Sequence, residues 1–197
     1  MNYYIADTHF GHDNIRRLSN RPFNSIEEMD KSIIDNWNSK VTDSDDVYIL
    51  GDFSYKSEDP IAYLKKLNGR KHLIVGNHDN KLLKNPNCKK YFVEIVDMKM
   101  ADDNGTQIVL CHYPIVEWNG YYRNVLHFYG HVHNTHDESL VNEFIRITRS
   151  TMVKSARQTK EHTIPCNMIN CFCMFSDYIP LTLDDWIRVD AKRRQDM

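Results

Sequence analysis

The first half of the chain repeats one pattern, in which a short apolar run ends in a polar turn and a helical segment follows. The apolar runs cover Asn2 to Ala6, Val47 to Leu50 and His72 to Val75. Apolar residues recur at helical spacing between Ser25 and Asn38, and Ser25 with Glu28 forms a capping box at the start of that segment. Asp59-Pro60 opens a further helix. Strands and helices that alternate in this way predict a βαβ arrangement with a largely parallel sheet.

The second half of the chain is predicted to add strands and one long helix. Strand-like patterns cover Val93 to Ala101, Thr106 to Cys111, Val125 to Tyr129, and a final pair at about Asn167 to Phe175 and Ile179 to Leu183. Asp103-Asn104-Gly105 predicts a hairpin turn between the first two. Apolar spacing from Asp137 to about Lys160 predicts a helix. We therefore expect one α/β domain over residues 1–197, with residues 137–163 as a candidate helical insertion.

Composition and charge narrow the class of protein. Hydrophobic residues make up 41% of the chain and charged residues 26%, so it can bury a core. The net charge of −2 argues against a basic protein that coats nucleic acid and against a polybasic membrane binder. No apolar run approaches the roughly 18 residues that span a bilayer. The five scattered cysteines fit a reducing compartment. We expect a cytoplasmic protein without a membrane partner.

Oxygen and imidazole donors follow the end of one apolar strand after another. They are Asp7 and His9, then Asp52, then Asn77 and His78, then His112, then His131 and His133. In open α/β sheets, ligands gather beyond the carboxyl ends of the strands, so we expect these side chains to meet at one rim. Mixed imidazole, carboxylate and amide ligands suit Mn²⁺, Fe or Zn²⁺. The other histidines are interpreted as core or turn residues: His72, His127, His136 and His162.

The ordered set resembles the calcineurin-like metallophosphoesterase superfamily, whose motifs are D-x-H, G-D, G-N-H-[DE], a lone His and G-H-x-H. Here they are Asp7-Thr8-His9, Gly51-Asp52, Gly76-Asn77-His78-Asp79, His112 and Gly130-His131-Val132-His133. Phe10-Gly11-His12 and Arg21-Pro22-Phe23 make the chain similar to a small predicted phosphoesterase subfamily of bacteria and phages. The resemblance implies an α/β fold with a β-sandwich core of mixed sheets and βαβ units, flanked by helices.

The resemblance also implies two divalent metal ions and a role for each motif residue. Asp7, His9 and His133 are similar to the ligands of one ion, Asn77, His112 and His131 to those of the second, and Asp52 to the carboxylate that bridges both. His78 resembles the histidine that contacts the phosphate or protonates the leaving oxygen, and Asp79 resembles its orienting partner. Manganese is the expected metal, and these ligands also accept Fe, Zn, Ni or Co.

Two divalent ions outweigh two carboxylates, so such a pocket would attract phosphate. Ions about 3.5–4 Å apart can bind the phosphate oxygens and hold a bridging hydroxide in line with phosphorus, so that no protein nucleophile is required.

The residues between the motifs bear on the substrate. Serine/threonine phosphatases of the superfamily carry an arginine after the second motif and another after the third, but here Phe53-Ser54-Tyr55-Lys56 and Asn80-Lys81 follow. The missing arginines argue against a protein phosphatase. We expect a phosphodiesterase that acts on nucleotides or nucleic-acid ends. A phosphomonoesterase of small metabolites, a metal-binding scaffold without activity, and a metal that only supports folding are the alternatives.

Four further residues are candidate substrate contacts: His12, Arg21, Trp118 and Arg123. His12 either faces the pocket or caps the following helix, and Arg21 either adds positive charge to the site or lies on a solvated helix face. Trp118 and Arg123 lie in a segment that either borders the pocket, where aromatic rings can stack a nucleobase, or only packs a long loop. The predicted helix from Asp137 carries basic residues such as Arg146 and Arg149, which either contact a polyanion or form a solvated face.

Overall fold

Two sheets form the core of the molecule, a computed structural model that describes residues 1–154 and 160–195. The first sheet is parallel throughout, in the order β1 (Asn2–Ile5), β2 (Asp46–Ile49), β3 (Arg70–Ile74), β4 (Phe92–Val96). The second has the order β5 (Met98–Asp103), β6 (Thr106–Cys111), β7 (Leu126–Tyr129), β8 (Met168–Asn170), where β5 and β6 are antiparallel and the other pairs are parallel. The predicted α/β class, a sandwich of mixed sheets with βαβ units, is confirmed.

Helices cover the outer faces of the sandwich. Within the described ranges they are α1 (Asp13–Leu18), α2 (Ile26–Lys40), α3 (Pro60–Leu64), α4 (Asn80–Lys84), α5 (Pro86–Lys89), α6 (His136–Ser150) and α7 (Leu183–Gln195). The predicted start of α2 is confirmed, because Ser25 Oγ accepts a hydrogen bond of 3.1 Å from the Glu28 amide. None of these helices combines the length and the apolar character needed to cross a bilayer.

Apart from β4 and β5, which are partly exposed, the strands are largely buried on both faces, and their successive side chains point to opposite layers. Tyr4 of β1 points between the two sheets, where Leu110, Phe128 and Trp186 also pack. Ile5 points to the other face and packs with Trp37 of α2. A third cluster lies outside the second sheet, where α6 packs. The two-sided burial anchors the loops that leave the carboxyl ends of the strands.

Three predicted elements need correction. The hairpin at Asn104-Gly105 is confirmed, but the predicted strand from Val93 to Ala101 is two strands, β4 and β5, which belong to different sheets. In the predicted final strand pair, only Met168–Asn170 forms a strand, Leu181 makes an isolated bridge with Tyr4, and a helix begins at Leu183. The helix α7 was not predicted, although its buried residues Leu183, Trp186 and Asp190 recur at helical spacing.

The helix predicted from Asp137 to about Lys160 is too long. It ends at Ser150, where Thr151 turns to extended backbone, and Val153 then pairs with His162 in an antiparallel bridge. β-branched residues near this end lower helix propensity. Residues 155–159 of the predicted helix lie outside the described residues, and an insertion over residues 137–163 stays a prediction.

Candidate metal centre

The predicted ligands meet at one edge of the sandwich, beyond the ends of five strands. β1 leads to Asp7 and His9, β2 to Asp52, β3 to Asn77, β6 to His112, and β7 to His131 and His133. Contacts of 2.9 to 3.7 Å between side-chain atoms connect all seven residues into one cluster. The convergence expected from the sequence is therefore present, across separations of up to 126 residues.

The first group of donors is Asp7, His9 and His133, whose ligand atoms lie within 4.8 Å of one another. The Nε2 atoms of His9 and His133 face each other at 3.2 Å, and the Nε2 of His133 lies 3.5 Å from Asp7 Oδ1. Ser19 Oγ lies 3.1 Å from Nδ1 of His133, so a serine hydroxyl orients this ring from behind. A shared cation would use the lone pairs of both Nε2 atoms.

The second group is Asp7, Asp52 and His112, again with ligand atoms within 4.8 Å. His112 Nδ1 lies 2.8 Å from the Leu50 carbonyl, which can only accept, so Nδ1 carries the proton of the neutral ring and Nε2 is a free acceptor. That Nε2 lies 3.6 Å from Asp52 Oδ1 and 3.2 Å from Asn77 Oδ1. Acceptor atoms that converge in this way could share a cation.

The remaining predicted ligands extend these two groups. Asn77 Oδ1 lies 2.9 Å from His131 Nδ1. Asp52 lies between the groups, because its Oδ2 is 3.7 Å from His9 while its Oδ1 faces His112. Both groups include Asp7, whereas the resemblance implies Asp52 as the shared carboxylate; the described geometry places both carboxylates at the junction.

Burial and the neighbouring charges shift the pKa values of the predicted ligands. Burial and the neighbouring Asp7 raise the pKa of Asp52 to about 7. Burial also acts to raise the pKa of Asp7, but contacts from His133 and His112 outweigh it and lower that pKa. The pKa of His9 is lowered well below its ordinary value by burial, so the ring is neutral and able to ligate. The donor set and its charges thus fit divalent cations.

The backbone at the centre is strained. Five of the seven ligand residues have left-handed φ angles, which non-glycine residues rarely adopt: Asp7 (58°), His9 (53°), Asp52 (53°), His131 (70°) and His133 (51°). Each such residue costs about 1–3 kcal/mol and persists only where the surroundings impose it. Strain concentrated at converging donors is typical of a functional site.

The motif glycines make room for the ligands. A Cβ at Gly76 would lie 2.3 Å from Asp52 Oδ1, and one at Gly130 would lie 2.5 Å from Asp7 Oδ2. A Cβ at Gly51 would lie 2.3 Å from Nδ1 of His112. Any side chain at these positions would occupy the space of a donor.

Asp79 has a different task from the one expected. The resemblance implies that it orients His78, but its Oδ2 accepts from the amides of Asp52 (2.9 Å) and Gly76 (2.8 Å), and its Oδ1 accepts from Phe53 (2.9 Å). Burial raises the pKa of Asp79 to about 7. This carboxyl group therefore ties the second motif to the third through their main chains, which corrects the expected role.

Arg21 is also corrected, because it is buried rather than placed to meet substrate. Its guanidinium donates to the carbonyls of Asp7 (2.7 Å) and Thr8 (2.9 Å), and it lies between the rings of Phe172 and Tyr178. It holds the first motif in its left-handed conformation. No signal in the sequence distinguished this role from that of a surface arginine.

His78 and His12 lie beside the first donor group. The ring centroids of both are within 5.5 Å of that of His9, and Tyr55 packs against both, at 4.3 Å from His78 and 4.5 Å from His12. His78 is 34% exposed, and its Nε2 lies 3.9 Å from Asp52 Oδ2. His12 makes no capping hydrogen bond at α1, and its Nδ1 is buried without a hydrogen-bond partner. Of the two interpretations of His12, the one that faces the site fits better.

The segment after His112 behaves mostly as packing. Trp118 is buried, and its indole donates to the Val125 carbonyl at 2.9 Å, so of its two interpretations the packing of a long loop fits and a contact with substrate does not. Arg123 is exposed, and its guanidinium reaches Asn119. In α6, Arg149 donates to the Pro165 and Cys166 carbonyls, so this basic residue supports the fold.

Support for the ligands comes from residues that the motifs do not contain. The Phe172 ring stacks parallel to that of His133 at 4.7 Å, and the Asn170 amide donates to the His133 carbonyl at 3.0 Å. Together with Ser19, these residues could not have been identified from spacing, because they come from unrelated parts of the chain.

Relatives of the chain carry no stated activity. No protein-family model matches it. It is 37% identical over 141 residues to MJ1445, an uncharacterized protein of Methanocaldococcus jannaschii, a match that covers 68% of this chain and 70% of that protein. The gene 66 protein of Mycobacterium phage L5 is 30% identical over 132 residues, which are 58% of this chain and 63% of that protein. The gene 66 protein of Mycobacterium phage D29 is 26% identical over 176 residues, which are 76% of this chain and 81% of that protein.

A solved structure matches nearly the whole chain. It is the crystal structure of AQ665, a protein of unknown function from Aquifex aeolicus. The TM-score is 0.64 at 27% identity, and the match covers 96% of this chain and 98% of the other.

Proposed function

Since the chain belongs to the family of the uncharacterized M. jannaschii protein MJ1445, which has no assigned activity, we propose from the site that it is a dinuclear metal-dependent phosphohydrolase. The observation that carries the proposal is the meeting of seven imidazole, carboxylate and amide donors: two overlapping groups hold five of them, and Asn77 and His131 extend the second group. Neither a structural zinc site nor a calcium site has this composition, because the former is rich in thiolates and the latter in oxygen.

Following the assignment that the resemblance implies, the seven donors would hold two cations. Asp7, His9 and His133 would hold the first, Asn77, His112 and His131 the second, with Asp52 between them. When bound, a pair of divalent cations acts as a Lewis acid that offsets phosphoester charge and lowers the pKa of water. Manganese is the metal we expect, and Fe, Zn, Ni or Co would also suit the ligands.

The chain supplies His78 at the edge of this centre. Its main-chain amide donates to Asp52 Oδ1 at 2.9 Å, which holds the backbone of this residue in place. The ring itself is partly exposed to solvent. A ring in this position can contact a phosphoester at the centre and pass a proton to the leaving oxygen. We assign His78 this role, and Asp79 the role of holding the loop that carries it.

The arginines point to a diester as the substrate. Arg21 is engaged with main-chain carbonyls, and Arg16 is paired with Asp13. Lys81 donates to the Ser57 carbonyl at 3.2 Å. These three described side chains are therefore not available to clamp the second negative charge of a monoester, whereas a diester carries one charge. We therefore propose that the substrates are phosphodiesters, in nucleotides or at nucleic-acid ends.

The test is hydrolysis by purified protein with Mn²⁺. We expect turnover of bis-p-nitrophenyl phosphate to exceed that of p-nitrophenyl phosphate. Asp52→Asn and His131→Ala should abolish it, whereas His136→Ala, which removes an exposed histidine at the start of α6, should not. Thermal unfolding of each variant checks that it is folded. Retained activity in Asp52→Asn or His131→Ala would refute the assigned site.

Two further outcomes decide between the alternatives. Binding of two metal ions without turnover of aryl esters, cyclic nucleotides, DNA or RNA would favour a scaffold. Unfolding by a chelator would favour a metal that only supports folding. We expect a chelator to remove activity and leave the fold intact, because bonds within the protein already hold the loops.

A further inference from the structure

One exposed aromatic ring lies directly against the ligands of the second cation group. Tyr113 follows His112 in the chain, and its ring centroid lies 4.9 Å from that of His112 and 4.7 Å from that of His131. The side chain is nonetheless 41% exposed. The ring is thus held in place by the centre and still open to a ligand.

The contacts of Tyr113 leave its surface available. Its ring meets both histidines edge to face, at interplanar angles of 75° and 64°, so neither lies parallel to it. Within residues 1–154 and 160–195, its hydroxyl makes no hydrogen bond to another group. A planar apolar group that stacks on the exposed ring would remove apolar surface of both partners from water.

The other aromatic residues of this segment cannot take that position. Trp118 and Tyr121 are buried and pack against each other at 4.8 Å. Tyr122 is exposed, but its ring packs on Tyr121, which belongs to the core cluster outside the second sheet. Tyr113 is therefore the aromatic residue of this segment that touches the metal ligands.

From these contacts we propose that Tyr113 is the platform on which the planar base of a nucleoside phosphate stacks while its phosphate occupies the metal centre. The inference rests on the proposed function and names its substrate class. A phosphoester at the second cation group has one side next to His131, and the Tyr113 ring lies against that same histidine. Base stacking on a tyrosine needs no hydrogen bond to the base, so it selects for a planar group without fixing a sequence.

The test compares two ligands that differ only in the base. AMP and ribose 5-phosphate are titrated by calorimetry into the Mn²⁺-loaded protein, without turnover. The unaltered protein should bind AMP more tightly. Tyr113→Ala should weaken AMP binding by about 5- to 150-fold, the range for one base–aromatic stack. The dissociation constant of ribose 5-phosphate should change by no more than about twofold. Tyr113→Phe should retain the preference for AMP.

Tyr122→Ala is the matched control, because this tyrosine is 58% exposed and its ring contact is with Tyr121. It should leave both affinities unchanged. Equal weakening of both ligands in Tyr113→Ala would show that the ring acts only through the metal ligands, and would overturn the proposal. Equal affinity of the unaltered protein for AMP and ribose 5-phosphate would also overturn it. A Tyr113-dependent preference for AMP in a protein that hydrolyses no phosphoester would leave the platform standing and refute the proposed function.

Discussion

Gly76→Ala adds one methyl group at the point where the second and third motifs touch. Gly76 is not in the left-handed region, so alanine there carries no backbone penalty of that kind and the effect is steric. The new Cβ would lie 2.3 Å from Asp52 Oδ1 and 2.5 Å from the Asp52 amide nitrogen. Because one of these atoms belongs to the main chain, a rotation of the Asp52 side chain cannot relieve both contacts.

The size of the effect follows from the distances. Ordinary contacts begin near 3.4 Å, so Asp52 has to move by roughly 1 Å. Overpacking of this kind costs about 1–3 kcal/mol of stability. Ligand distances in metal sites hold to about 0.2 Å, so a displaced Asp52 should weaken Mn²⁺ binding at least as much as the loss of a supporting contact, about 10- to 100-fold.

Gly105→Ala is the matched control. Gly105 lies in the β5–β6 hairpin at φ +86°, and an added Cβ would have no neighbour within 4 Å. Alanine there should cost about 1–2 kcal/mol for the left-handed backbone and leave Mn²⁺ affinity unchanged. Urea unfolding of the metal-free proteins and calorimetric titration with Mn²⁺ measure the two effects separately. Unaltered Mn²⁺ affinity in Gly76→Ala would show that Asp52 is not a ligand in the position described.

Three further predictions concern the support of the centre and the core. Asp79→Asn replaces an acceptor with an amide donor where three main-chain amides converge, so urea unfolding should show a loss of about 2–3 kcal/mol, against about 0.5 kcal/mol or less for the exposed Asp43→Asn. Ser19→Ala should weaken Mn²⁺ binding about 10- to 100-fold in calorimetry, and an unchanged affinity would remove Ser19 from the support of the centre. Burial lowers the pKa of His127 to about 4 in the folded protein, whereas the unfolded chain has the ordinary value of about 6.5. As the pH falls through this range, the unfolded chain takes up a proton that the folded protein does not. The contribution of His127 to the free energy of unfolding should therefore be complete above about pH 6.5 and fall by up to about 3 kcal/mol towards pH 4. Urea unfolding at several pH values measures this slope, and an equal slope in His127→Gln would contradict the assignment.

The centre was predictable because its ligands follow strands. Each donor lies within a few residues of the end of an apolar run, and parallel strands in one sandwich bring such turns to the same edge. The ordering of the motifs then made accidental agreement improbable. The role of the motif glycines was accessible in principle, since Gly51, Gly76 and Gly130 each precede a donor, but the reason for them is a distance that only the fold provides.

Other roles depended on partners that spacing does not reveal. Arg21 was predicted either to add positive charge to the site or to lie on a solvated helix face, because nothing in the sequence shows that the Asp7 and Thr8 carbonyls point at it. Trp118 was a candidate pocket residue because it lies between two motifs. In the fold its indole N–H donates a hydrogen bond to the Val125 carbonyl. The helix α7 was missed because its polar residues outnumber its buried ones.

Hydrogen bonds from other segments of the chain hold the main chain of the predicted ligands in strained conformations. Arg21 holds the carbonyl of Asp7, and Asp79 holds the amide of Asp52, so both left-handed carboxylate residues are fixed through their main chains. The loops that make these bonds are anchored on the buried strands and on α2. Relaxing the strained residues would therefore disturb the packing of the core. Asp7 and Asp52 are thus held close enough to repel each other, and a cation bound between them would offset that repulsion.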